Sequence, residues 1–161
     1  MDLLERFSGR LAGLLLYVAG GAVAAMMFIT TADVVLRFFR MPIPGTYELV
    51  GLLGGIAVTF ALAHTTLVRG HVAVSILVRR LPSFWQDVLD AATALLSLLF
   101  FALAAWQFFD MAHGYAAGGH VSQTLELPLH PVLYAMGFAS AATCLVLLSQ
   151  AVKRIRKAKA K

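Results

Sequence analysis

The sequence predicts an all-α membrane protein, with four transmembrane helices plus a short amphipathic interfacial helix between helices 2 and 3. Three observations carry that reading. Four long apolar runs, Leu11–Ala32, Leu49–Val68, Ala91–Phe109 and Leu129–Val152, fill most of the 161 residues. Each is close to or longer than the roughly 20 apolar residues that a helix needs to cross the hydrocarbon core of a bilayer. None of them carries an ionisable group at its centre. Hydrophobic residues make up 60% of the chain and charged residues 13%, about half the charged share of an ordinary soluble domain. Residues 1–161 read as a single four-helix transmembrane domain, without internal repeat or linker.

Helix 1 is expected to start near Phe7 or Ser8 and to end near Phe39, where Met41-Pro42-Ile43-Pro44-Gly45 breaks it. Proline removes a backbone donor and clashes with the preceding turn, so two of them stop propagation. The run Leu11–Ala32 has 22 residues, too long for the roughly 7–15 apolar residues of a signal-peptide core. Helix 2 restarts at Thr46, an expected N-cap, with Glu48 in the first turn near the positive end of the helix dipole. Helices 1 and 2 form a tight antiparallel hairpin, and Arg69-Gly70 ends the second. His71–Leu81 is too short to cross. At helical spacing Val74, Leu77, Val78 and Leu81 share one face while His71, Ser75 and Arg79 share another. That pattern predicts a helix lying in the membrane interface, with Arg79 and Arg80 at the lipid head groups; an irregular loop is the competing reading, since Val72 and Val74 also alternate. Pro82 sets up helix 3, with Ser83 as its cap, running to about His113 with Trp85 and Trp106 toward its ends. A loop over Tyr115–Leu127 follows, and helix 4 runs from about His130 to Arg154.

The net charge is +5, and six of the thirteen basic residues lie in the tail Lys153, Arg154, Arg156, Lys157, Lys159 and Lys161. Basic clusters next to a membrane span mark the cytoplasmic side and touch anionic lipid. No aromatic-basic reading motif accompanies them, which argues against nucleic acid. With the tail and the Arg69–Arg80 segment cytoplasmic, four crossings place the N-terminus in the cytoplasm as well. The segment Asp110–Pro128, without Lys or Arg, is then external. Arg37 and Arg40 dissent, because they fall in the first external turn.

At 1.5 Å per residue, Asp33 stands roughly 33 Å beyond Leu11, at the outer boundary. Arg37 follows one helical turn later and Glu48 opens helix 2 just across the turn. Asp33, Arg37 and Glu48 are therefore expected to form a charge cluster that locks the hairpin and compensates Arg37. Gly51, Gly54 and Gly55 give a G-x-x-x-G spacing on helix 2, and Gly20-Gly21 with Ala24-Ala25 give a second small-residue face on helix 1. Such faces allow close helix approach, whether to each other or to another protein. Cys144 is the only cysteine and sits in run four, so it reads as a small buried hydrophobe. His64 lies near the cytoplasmic boundary and His71 beyond it, whereas His113, His120 and His130 gather at the external end. No facing pair sits within the bundle to hold a haem. His64 and His71 read as hydrogen-bonding interface residues. The sequence has no Walker A loop, G-x-S-x-G, H-E-x-x-H or dinucleotide fingerprint, and no catalytic, cofactor or metal residues are assigned.

Four pieces taken in order carry a family resemblance. They are Asp33-Val34-Val35-Leu36-Arg37, Pro42-Ile43-Pro44-Gly45-Thr46-Tyr47-Glu48, Arg69-Gly70-His71-Val72-Ala73-Val74, and Arg79-Arg80-Leu81-Pro82. Together with the four-helix layout they resemble the small membrane (Q-type) subunit of TRAP transporters, tripartite ATP-independent periplasmic transporters of the bacterial inner membrane. Relatives often have an acidic residue shortly after the glycine-histidine step, where this chain has Val74-Ser75. The resemblance implies a scaffold that supports a large multi-helix permease subunit. A periplasmic substrate-binding protein delivers an organic acid (a C4-dicarboxylate, sialic acid or a related carboxylate or sulfonate), and sodium coupling resides on the large subunit. Two other classes compete: a four-helix redox subunit holding haem, which a Soret band would reveal, and a small self-sufficient transporter or channel built from homo-oligomers.

Overall fold

A computed structural model describes residues 3–68 and 82–159. Four helices account for nearly all of them: α1 over Leu3–Phe38, α2 over Thr46–Leu67, α3 over Ser83–Gly118 and α4 over His130–Lys159. All four are long and apolar enough to cross a membrane. The expected interfacial helix, and with it His71, Arg79 and Arg80, lies outside the described residues. Helices α1 and α3 have 36 residues each, about 54 Å at the α-helical rise. They exceed the roughly 30 Å hydrocarbon core, so they tilt or project beyond it.

The helix ends differ from the sequence reading in ways the backbone explains. Gly45, not Thr46, caps α2; it takes the left-handed conformation with φ 74°, which glycine adopts without a Cβ penalty. Thr46 is the first helical residue, and its hydroxyl donates to the Ile43 carbonyl at 3.0 Å. Pro82 takes the cap position of α3 in place of Ser83. That helix runs on past His113 through Tyr115 to Gly118 and stops at Gly119, again left-handed with φ 63°. Alpha-helical structure in α4 continues past Arg154 to Lys159.

Helix α4 is the centre of the arrangement. It packs against α1, α2 and α3, α1 also packs on α2, and α3 has its main contact on α4. The core is mostly alanine: Ala12 and Ala19 from α1, Ala63 from α2, and Ala139 and Ala142 from α4, with Leu15, Phe60 and Val146 as its larger members. Within lipid there is no hydrophobic drive to join apolar helices, so close van der Waals approach between small residues takes its place. Polar side chains are satisfied locally. The hydroxyls of Thr59, Thr65, Thr66, Thr93, Ser140 and Thr143 donate to the carbonyl one turn earlier, as a medium without water requires. At the terminal end of the bundle, Gln150 Nε2 donates to the carbonyls of Thr66 and Leu67 at 2.7 and 3.2 Å. It thereby caps the last turn of α2, whose carbonyls have no partner within their own helix. Large apolar side chains cover the outside, among them Tyr17, Phe28, Leu95, Phe100 and Trp106. A surface of this kind is aggregation-prone in water and ordinary in a bilayer.

Candidate functional site

The polar chemistry of the described chain collects at the end of the bundle that holds the α1–α2 turn and the α3–α4 loop. Asp33, in the last turns of α1, is buried with 4% exposure. Its Oδ2 accepts a hydrogen bond from Arg37 Nε at 2.8 Å, one helical turn on, and its Oδ1 accepts from the backbone N–H of Ile43 at 2.9 Å. One carboxylate thus fixes both the end of the helix and the chain that leaves it. Arg37 lies against the ring of Tyr47, 5.8 Å from its centroid, and its side chain is 49% exposed.

Glu48 does not join that pair. The expected three-residue cluster is corrected to two separate clamps, because Glu48 reaches across to the α3–α4 loop. Its Oε1 accepts from the N–H of Thr124 at 2.8 Å and its Oε2 from the N–H of Leu125 at 3.2 Å. Consecutive amides pointing at one carboxylate make a compact anion nest, here filled from within the chain. The loop closes on itself through Ser122, whose N–H donates to the Leu127 carbonyl at 2.9 Å and whose hydroxyl accepts from the Leu127 N–H at 3.3 Å. Val121 pairs with Pro128, and Glu126 turns the chain at φ 52°. The loop lies directly on the hairpin turn: a Cβ added to Gly45 would stand 2.7 Å from Leu125 Cδ1.

The glycines of α2 do not act as one face. Gly54 lies beside α1, with Met26 Cε 3.6 Å from where a Cβ would stand. Gly55 faces α4, with Met136 Cε at 3.2 Å on the same measure. Gly51 has nothing within 4 Å, and neither do Gly20 and Gly21 on α1. The G-x-x-x-G spacing is therefore divided between packing inside the subunit and an open outer position.

The histidines are scattered. His64 lies in the last turn of α2, and its Nδ1 is buried without a hydrogen-bond partner among the described residues, where the sequence predicted a hydrogen-bonded side chain. His113 is exposed near the end of α3, His120 stacks on Tyr115 with ring centroids 4.9 Å apart, and His130 begins α4. Among the described residues no three His, Cys, Asp or Glu side chains gather to hold a metal ion. Cys144 is half-buried within α4.

Sequence reasoning missed the Glu48–loop clamp, the fit of Leu125 over Gly45 and the capping of α2 by Gln150. A glycine following Pro44 and a lone amide near the end of the last apolar run were the available signals; neither names its partner. What the arrangement does chemically is to fix geometry, since the carboxylates of Asp33 and Glu48 are both taken up by donors of their own chain.

The comparisons with known proteins come to one finding. Residues 26–157 match the family model described as tripartite ATP-independent periplasmic transporters, DctQ component. No curated protein and no solved structure matches the chain.

Proposed function

The chain belongs to the tripartite ATP-independent periplasmic transporters as a DctQ component, and from that premise we propose that it is the small scaffold subunit of a sodium-coupled importer of an organic acid. Membership makes it a transporter component whose partners are a larger membrane subunit and a substrate-binding protein. The finer reading, that it supports the larger subunit without binding substrate or ion, rests on one observation. The charged groups of the described spans stand toward helix ends: Arg10 near the start of α1, Asp33 and Arg37 close to its end, Glu48 at the start of α2 and Asp110 in the last turns of α3. A secondary transporter binds its substrate and coupling ion near the midplane, with charge or broken helix. Here the four helices run through their midplanes unbroken.

In this reading the organic acid, whether a C4-dicarboxylate, sialic acid or a related carboxylate or sulfonate, passes through the larger subunit. Both termini face the cytoplasm of a bacterial inner membrane, and the end with the two carboxylate clamps faces outward toward the binding protein. The experiment is reconstitution in proteoliposomes by omission. Sodium-dependent uptake of a labelled organic acid is expected only when this chain, the larger subunit and the binding protein are all present. Uptake by this chain and the binding protein without the larger subunit would refute the scaffold role.

A further inference from the structure

We propose that Arg37 and Arg40, at the turn end of the bundle, form a binding site for the phosphate of a phospholipid head group. Helix α1 closes with the N–H of Arg40 bonded to the carbonyl of Arg37 and the N–H of Met41 bonded to that of Leu36, both at 3.0 Å. This double closure places the first residue past the helix cap, the donor of the inner bond, in the left-handed region, where glycine is the usual occupant because a Cβ is penalised. Arg40 occupies it at φ 61°. It stands in strained backbone, and in the proposed topology it also stands on the side of the membrane from which arginine is depleted. A residue that breaks both a conformational and a topological preference points to a function for its side chain.

The side chains around it indicate the ligand. Arg40 is exposed, and its side chain has no hydrogen-bond or ion-pair partner among the described residues. Arg37 holds Asp33 through Nε alone and is half exposed, so the pairing is a single bond rather than the two-pronged fork that guanidinium offers to carboxylate or phosphate. Between and beside the two arginines stand Phe38, Phe39, Met41 and Tyr47, exposed at 86%, 65%, 69% and 80%. Cations next to exposed aromatic and thioether side chains at the end of an apolar span match a phospholipid, with the phosphate on guanidinium and the upper acyl chain and glycerol on the apolar side chains. An acidic loop of a partner protein would answer the charge and leave the apolar side chains without their complement.

The test uses the full chain in detergent, melted with added phosphatidylglycerol, with dioleoylglycerol, which lacks the phosphate, or with inorganic phosphate. Phosphatidylglycerol is expected to raise the melting temperature of the wild type and of Arg40→Lys. Its half-saturating concentration is expected to rise about fivefold in Arg40→Gln and Arg40→Gly, the size of one interfacial basic residue. Arg40→Gly relieves the backbone, so without lipid it should melt no lower than the wild type, which separates loss of the ligand from loss of the fold. Dioleoylglycerol and inorganic phosphate are expected to leave all four proteins unchanged. The proposal is overturned by equal responses of all four proteins to phosphatidylglycerol. It is also overturned by a full response to inorganic phosphate, which makes the site one for free anions, or to dioleoylglycerol, which leaves only the apolar side chains. Arg40 variants that respond to phosphatidylglycerol as the wild type does but lose the larger subunit on purification would assign the surface to a protein partner instead.

Discussion

Glu48→Gln keeps one oxygen able to accept a hydrogen bond and turns an amide N–H toward a backbone N–H that needs an acceptor. Two donors then face each other where Thr124 and Leu125 now share a carboxylate. The amide that loses its acceptor is expected to exchange its hydrogen about tenfold faster, the size of one hydrogen bond, while Ile43 is unaffected. Asp33→Asn should do the reverse, quickening Ile43 and sparing the loop. Equal loosening of both regions in either variant would restore the single cluster. Gly45→Ala tests the same contact from the other side. Its positive φ costs an alanine about 1–2 kcal/mol, and Leu125 must also move. A Gly45→Ala variant that melts with the wild type would remove this contact from the account. Asp33 with Arg37 was legible in the sequence because a spacing of four fixes two side chains on one helical face. Glu48 was misjudged because its partners lie 76 and 77 residues away in sequence. They become adjacent only when the α3–α4 loop folds over the hairpin, and no local periodicity encodes that meeting.

At the scale of the helices, the division of glycines gives opposite outcomes for two similar substitutions. Gly55→Leu drives a branched side chain into Met136 across the α2–α4 contact. Overpacking of this kind costs about 1–3 kcal/mol, and the isolated subunit should melt earlier. Gly51→Leu meets nothing inside the subunit, so its melting is expected to match the wild type. If that open face meets the larger subunit, Gly51→Leu should instead reduce its recovery on co-purification. Normal recovery would take this face out of the interface. The apolar runs announced four crossings because span length and composition are local properties. The helix ends were less legible. Gly45 rather than Thr46 caps α2, and Pro82 rather than Ser83 caps α3, so residue preference alone placed these caps wrongly. The central position of α4 was also hidden, since helix order in a chain does not say which helix its neighbours share. Its run Ala139, Ala142, Thr143 and Val146, nearly free of exposure, is the face that makes it central.

For the whole molecule, the proposed scaffold role rests on charge gathered at the helix ends, with no Asp, Glu, Lys or Arg in the middle of the described spans. The two buried or clamped carboxylates, Asp33 and Glu48, are the groups best suited to contradict it, because sodium and organic-acid transport commonly use such side chains. The most direct test is uptake by the complete three-part system carrying Asp33→Asn or Glu48→Gln, normalised to the amount of assembled complex. The apparent affinities for sodium and for the organic acid are expected to stay within about twofold of the wild type, since uniform binding is made elsewhere. A shift of about tenfold in either affinity, some 1.4 kcal/mol, with assembly intact would place this chain inside the transport mechanism and contradict the scaffold role.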